Sequence, residues 1–221
     1  LLIILLLMVI AVAAALLYLR RRGESRRQLK ARVAELQSLS TAVSAIASAK
    51  LDEDALCHLV YEQASKLVDV SNFQLGIFED HSYHIRLRYG HGVQQPAAQF
   101  DLSETGGIVG WVRDTRQALI VHDFNAEMDR LPAKPRYVSA NPPRSAVFVP
   151  MTTSESVIGA IAIQSERVNA YTDPHLRMLS IIANQAAAAI QNARALQRER
   201  TRATQMELVS EVSRSTASLF D

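Results

Sequence analysis

Nineteen consecutive uncharged residues, LLIILLLMVIAVAAALLYL from Leu1 to Leu19, run straight into Arg20-Arg21-Arg22. As an α-helix this stretch rises ~28 Å, the hydrocarbon thickness of a bilayer. A buried core helix is the alternative, but such a helix is rarely this uniformly aliphatic on every side. The sequence therefore predicts a transmembrane helix over residues 1–22. Basic residues flank membrane helices on the cytoplasmic side, so Arg20, Arg21 and Arg22 fix the orientation. Tyr18 stands where an interfacial aromatic would. The expected location is the inner (cytoplasmic) membrane, single-pass, with the rest of the chain in the cytoplasm. A signal peptide cleaved near Ala11–Ala15 is the competing reading, but arginines just beyond such a site oppose export.

The formal charge of +2 hides an asymmetry. Between Arg20 and Glu35 seven basic residues face two acidic ones, a surplus of five that leaves the remainder mildly acidic. A basic run directly after an apolar segment suits a lipid surface. It lacks the interleaved aromatics of a nucleic-acid site, and no nucleic-acid partner is expected. A single cysteine, Cys57, excludes an internal disulfide and a multi-cysteine metal knuckle. The chain opens on Leu1 and stops at Asp221 in mid-pattern, so the expectation is a segment of a longer protein.

Residues 23–49 read as a helical connector. Leu29, Leu36 and Val43 recur every seven residues, with Val33, Ser40 and Ala47 at the intervening core positions and Leu39 and Ile46 widening the stripe. The preferred reading is a short parallel coiled coil between two identical chains. Packing of the same helix on its own domain is the alternative.

Beyond it, Asp52 is a capping residue for a helix carrying Leu56, Leu59, Val60, Ala64 and Leu67. Phe73, Leu75 and Ile77 alternate, as do Ile85, Leu87 and Tyr89 after the Glu79–Ser82 turn, which predicts an antiparallel hairpin. Gly106-Gly107 opens a short helix, Ala118–Val121 is a short strand, and Asp123–Pro143 is a proline-rich loop. Ser145–Pro150 and Ser156–Ser165 are two more strands. Thr172-Asp173-Pro174 starts a helix whose apolar stripe reaches Leu196 and extends toward Leu208 and Val212. The fold class is α/β in the α+β sense: an antiparallel sheet of about five to six strands with helices on one side.

Four blocks in this order, GGIVGWVRDTRQALIVHDF (Gly106–Phe124), SAVFVPM (Ser145–Met151), VIGAIAIQSE (Val157–Glu166) and YTDPHLRMLSIIANQAAAAIQNARAL (Tyr171–Leu196), resemble the successive blocks of a GAF domain. The resemblance spans residues 40–197. It implies a small-molecule pocket between the sheet and the loop after Val121, lined by Phe73, Ile77, Trp111, Phe124, Tyr137, Val147 and Ile161, with His122 at its rim. Some members hold a tetrapyrrole on a cysteine near the pocket. Cys57 lies in the first helix instead, so covalent chromophore attachment is not expected. The cyclic-nucleotide motif of other members is not apparent, and the cofactor stays unassigned.

The histidines show no metal-ligand spacing, and no nucleophile, acid and base converge in sequence. The segment is therefore expected to be non-catalytic and to bear no metal. Sensor histidine kinases of two-component systems and cyclic-di-nucleotide enzymes are typical owners of such a segment. The expected function is a sensory or relay module that binds a small molecule and acts as a homodimer at the membrane. A ligand-free dimerisation scaffold is the alternative. Leu39, Val43, Ser44 and Asp52 recur as Leu208, Val212, Ser213 and Asp221, so residues 198–221 read as a helical linker into a second GAF-like domain.

Overall fold

The computed structural model describes residues 29–30, 32–49, 52–102, 106–136 and 142–217. The expected membrane span over residues 1–22 and Tyr137 lie outside the described residues. Among the described residues no helix is long and apolar enough to cross a membrane. The chain divides into two compact units, 1–41 and 42–221. In the first, the described residues are helical, with Leu29, Val33 and Leu36 exposed. The helix of residues 32–48 is α1, and Ala42 and Ile46 near its end are buried in the second unit.

That second unit runs α2 (Glu53–Ser65), β1 (Asn72–Glu79), β2 (Ser82–Gly90), β3 (Val93–Gln94), β4 (Ala98–Asp101), α3 (Gly107–Thr115), β5 (Leu119–Val121), α4 (Phe124–Glu127), β6 (Ser145–Thr152), β7 (Val157–Ser165) and α5 (Asp173–Ala217). The Asp52 carboxylate accepts a hydrogen bond from the Ala55 N–H at 2.8 Å, and Glu53 and Asp54 complement the positive end of α2. Seven strands form one sheet in the order β3-β2-β1-β7-β6-β5, with β4 also on β2, and the pairings are antiparallel. The strand count exceeds the expected five to six. The additions are β3, two exposed residues, and β4, four residues that never become fully buried. Neither is long enough to give a period-two hydrophobic signal.

The helices occupy both faces of the sheet rather than one. Strand alternation explains why. On β6 and β7, Val147, Val149, Ile161 and Ile163 turn to one side, toward α5 and α2. Ala146, Phe148, Ala160 and Ala162 turn to the other, where they join Ile108 and Val112 of α3 and Phe124 of α4. Strand β6 is therefore buried along almost its whole length.

Strand β2 serves both faces through a bulge. Leu75 pairs with Leu87, but Gly76 pairs with Ile85, which leaves Arg86 as the extra residue. Tyr83 and Ile85 consequently belong to the α3-side cluster. Leu87 and Tyr89 fall on the α2 side, where the Tyr89 ring stacks on Tyr61 at 4.0 Å between centroids. The expected single buried face of Ile85, Leu87 and Tyr89 is thus corrected: a bulge flips the parity midway along the strand.

Gly76 makes this crossing tight. A Cβ there would sit 2.5 Å from the Tyr83 ring, whose hydroxyl donates across β1 to the Ala160 carbonyl at 3.0 Å. On the opposite face, a Cβ on Gly159 would collide with the Gly76 carbonyl and the Met151 methyl. Backbone cannot yield as a side chain can, so Gly159→Ala is expected to cost about 3 kcal/mol of stability. Urea unfolding of the variant beside the parent chain checks this.

Candidate functional site

Small residues on the α3 side of β7 leave room that isoleucines deny on the other. Two adjoining cavities open there. The larger, about 260 Å³, is walled by Asn72, Gln74, Arg88, Gln95, Arg136 and Gln164 over a floor at Ala162. The smaller, about 40 Å³, lies among Tyr83, Phe100, Ile108, Phe124 and Phe148. Gln74, Arg136 and Gln164 border both.

Local chemistry fixes these walls. Gly107 has φ +58°, and the Lys134 carbonyl and the Arg136 stem press on the place a Cβ would take. Arg136 Nη1 donates to the Asp101 carbonyl at 2.7 Å, which ties the loop to the end of β4. Asp123 caps α4 by accepting from the Asn125 N–H at 3.1 Å, while Glu127 Oε1 reaches back to the N–H groups of His122 and Asp123, each at 2.8 Å. Arg144 holds the same Asp123 carboxylate through Nε at 3.1 Å and Nη2 at 2.9 Å. These hydrogen bonds keep the Asp123 carboxyl below the usual carboxylate range. Together they seat Phe124 against the small cavity.

The expected lining is only partly assembled here. Phe124 borders the small cavity, and Phe73 borders the large one, although its ring packs edge-on against Tyr61 on the helix side. Ile77, Val147 and Ile161 are fully buried on the opposite face, because their strand parity points them at the helices. Trp111 is half-buried against the α3-side core without bordering either cavity, and His122 is exposed. Tyr137 lies outside the described residues. The polar wall of Gln74, Arg88, Arg136 and Gln164 was missed. Its sequence signal was the alternation Ala160-Ile161-Ala162-Ile163-Gln164, in which the small and polar positions mark the open face.

The opposite face carries a charge network. Arg194 of α5 makes a bidentate pair with Glu53 of α2 at 2.6 and 2.9 Å. Arg86 reaches Glu79 at 2.6 Å and Glu53 at 3.5 Å, and Arg194 Nη2 lies 3.6 Å from Glu79. The first hairpin, α2 and α5 are thus joined ionically. Among the described residues no group of three or more His, Cys, Asp and Glu side chains could hold a metal ion.

Cys57, buried in α2, has its thiol pushed up to about 12 by desolvation and then by the neighbouring Glu53 and Asp54 charges. At pH 8 the folded thiolate is then about one part in ten thousand, so an aromatic disulfide reagent should label Cys57 only as the protein unfolds. The folded value lies above the ordinary thiol value of 9.0. This contribution to stability is therefore complete below pH 9 and lost as pH rises toward 12. Labelling of the native chain at the rate of a free thiol would contradict the burial.

The fold has relatives among solved structures. The GAF domain of an Acinetobacter phosphoenolpyruvate-protein phosphotransferase matches with a TM-score of 0.58 at 18% identity, over 72% of this chain and 94% of that one. A fragment of a methyl-accepting chemotaxis protein, residues 122 to 287, matches with a TM-score of 0.59 at 21% identity, over 70% of this chain and 98% of that one. Free methionine-R-sulfoxide reductase from Neisseria meningitidis, in complex with its substrate, matches with a TM-score of 0.60 at 15% identity, over 73% and 91%. At these identities the likeness is one of fold. No curated protein matches the chain. A family model described as GAF domain matches residues 50–191, and the chain belongs to the GAF domain family.

Proposed function

We propose that this chain is a sensory or relay module of a signal-transduction protein. It takes a small molecule between its sheet and the loop after β5, and it biases an output through its flanking helices. The observation that carries the reading is the cavity of about 260 Å³ with polar walls, which adjoins an apolar cleft on the α3 side of the sheet. A concave site with a few convergent polar groups and an apolar annex suits a small organic ligand. The uncharged Leu1–Leu19 run and its arginines support attachment to the cytoplasmic face of a membrane. Exposed Leu29, Val33 and Leu36 before the domain, and Leu196, Met206 and Leu208 on α5, support pairing with a second copy.

Fold likeness to a sulfoxide reductase raises the enzymatic alternative. Thiol-based reduction needs an accessible thiolate. The single thiol here is buried, strongly protonated and on the helix side of the sheet, away from both cavities. That arrangement favours binding over redox chemistry.

Native mass spectrometry of the full chain, released from detergent, tests the ligand reading. A bound small mass is expected in the parent and lost in Gln164→Trp, which fills the border between the cavities. A dimer empty in both would favour the ligand-free scaffold. Pairing is tested separately by Leu36→Cys. With Cys57 shielded, the new thiol is expected to give a disulfide-linked dimer under mild oxidation, and a chain that stays monomeric would remove the relay.

A further inference from the structure

The larger cavity is bordered by Arg88, a cation without an ion pair among the described residues. We propose that it is an oxyanion subsite, in which Arg88 receives the carboxylate or phosphate of a small molecule whose short apolar end enters the adjoining cleft. This rests on the ligand-binding reading above and names the ligand's chemistry.

A guanidinium carries five N–H donors, accepts nothing and stays charged. Buried charges are normally paired. Other arginines of the domain are paired even where they are half-buried or exposed: Arg86 and Arg194 share Glu53 and Glu79, Arg144 holds Asp123, and Arg167 holds Asp69 at 2.6 Å. Arg88 makes no ion pair among the described residues, and its Nε is buried without an acceptor. The one other such atom among the described residues, His175 Nδ1, borders neither cavity.

The surroundings fit an anion. Among the described residues no Asp or Glu lines the larger cavity, whereas Arg88, Arg136 and His91 do. Arg136 Nη1 is positioned through the Asp101 carbonyl. His91 Nε2 lies 3.4 Å from Glu166 at the exposed rim. Sheet register sets Gln74 directly opposite Arg88 and beside Ala162, with Gln164 two residues further along β7. Two amides therefore flank the guanidinium above a floor without a side chain to block it. A planar or tetrahedral oxyanion matches the arginine fork, and the amides satisfy its remaining lone pairs. The neighbouring apolar cleft of about 40 Å³ has space for a methyl or a short methylene chain.

The test is calorimetric titration and thermal unfolding of the full chain in detergent. The probes are inorganic phosphate and straight-chain monocarboxylates from acetate to pentanoate, at constant ionic strength in chloride. Saturable binding is expected, weakened roughly tenfold or more in Arg88→Gln and less in Arg88→Lys. Carboxylate affinity rising with chain length would identify the organic acid, and binding of phosphate alone the phosphate ester. Unliganded Arg88→Gln should melt no lower than the parent, because the change removes a half-buried guanidinium whose Nε has no acceptor. Unaltered binding in Arg88→Gln, or a large loss of unliganded stability in both variants, would overturn the proposal. If no probe binds while native mass spectrometry finds a neutral compound, the oxyanion subsite falls and the ligand-binding module stands. Should neither appear, both fall.

Discussion

A single extra residue in β2 decides which side of the sheet does what. Were β2 regular, Arg86 and Arg88 would share a face, as residues two apart do. The bulge opposite Leu75 and Gly76 sends Arg86 to the helix side and leaves Arg88 on the cavity side. It also brings Tyr83 and Ile85 into the α3-side core and Leu87 under α2. Gly76 is the hinge of this arrangement, since only a residue without a Cβ lets the Tyr83 ring lie across β1 and bond to Ala160. Burial raises the Tyr83 hydroxyl above its ordinary range, so it stays a neutral donor at that bond.

The two faces then diverge in chemistry through side-chain size. Isoleucine and valine on β6 and β7 fill the space under α5, where Leu179, Ile182, Ala183, Ala186 and Ile190 are buried against them. Alanines at alternate positions cannot fill the equivalent space under α3, and part of it remains open. An apolar core tolerates no such gap without loss of dispersion and hydrophobic contact. The void persists because the groups around it are polar at one end and are braced by the Asp123–Arg144 and Arg136–Asp101 contacts.

Much of this was legible in the sequence, and the misses have physical causes. Long elements with strong periods, α2, β1, β6, β7 and α5, follow their hydrophobic patterns. The four quoted blocks carried the family, which the match over residues 50–191 bears out. What failed was parity. The GAF resemblance put Val147 and Ile161 in the pocket lining, yet large aliphatic side chains are what a packed helix interface selects. In a sheet covered on both sides hydrophobicity cannot tell one face from the other. The open face is written in small and amide residues, Ala160, Ala162, Gln164 and Gln74. The bulge at Arg86 was illegible for another reason: both parities of β2 meet apolar partners, so no residue is visibly misplaced.

In the proposed relay, coupling between the cavity and α5 would run through the same strand. Arg88 and Arg86 are two residues apart, one facing the cavity and the other bound to Glu53 and Glu79, to which Arg194 of α5 is also bound. A ligand can shift an equilibrium only by its differential affinity for the two states. For an anion on Arg88, that difference is the relief of an unpaired charge, and it falls on the strand segment whose register the bulge already makes irregular. A guanidinium whose Nε lacks an acceptor contributes little to stability by itself. Its placement between the cavity and the ionic tie to α5 makes sense where binding energy is to be converted into movement of a helix.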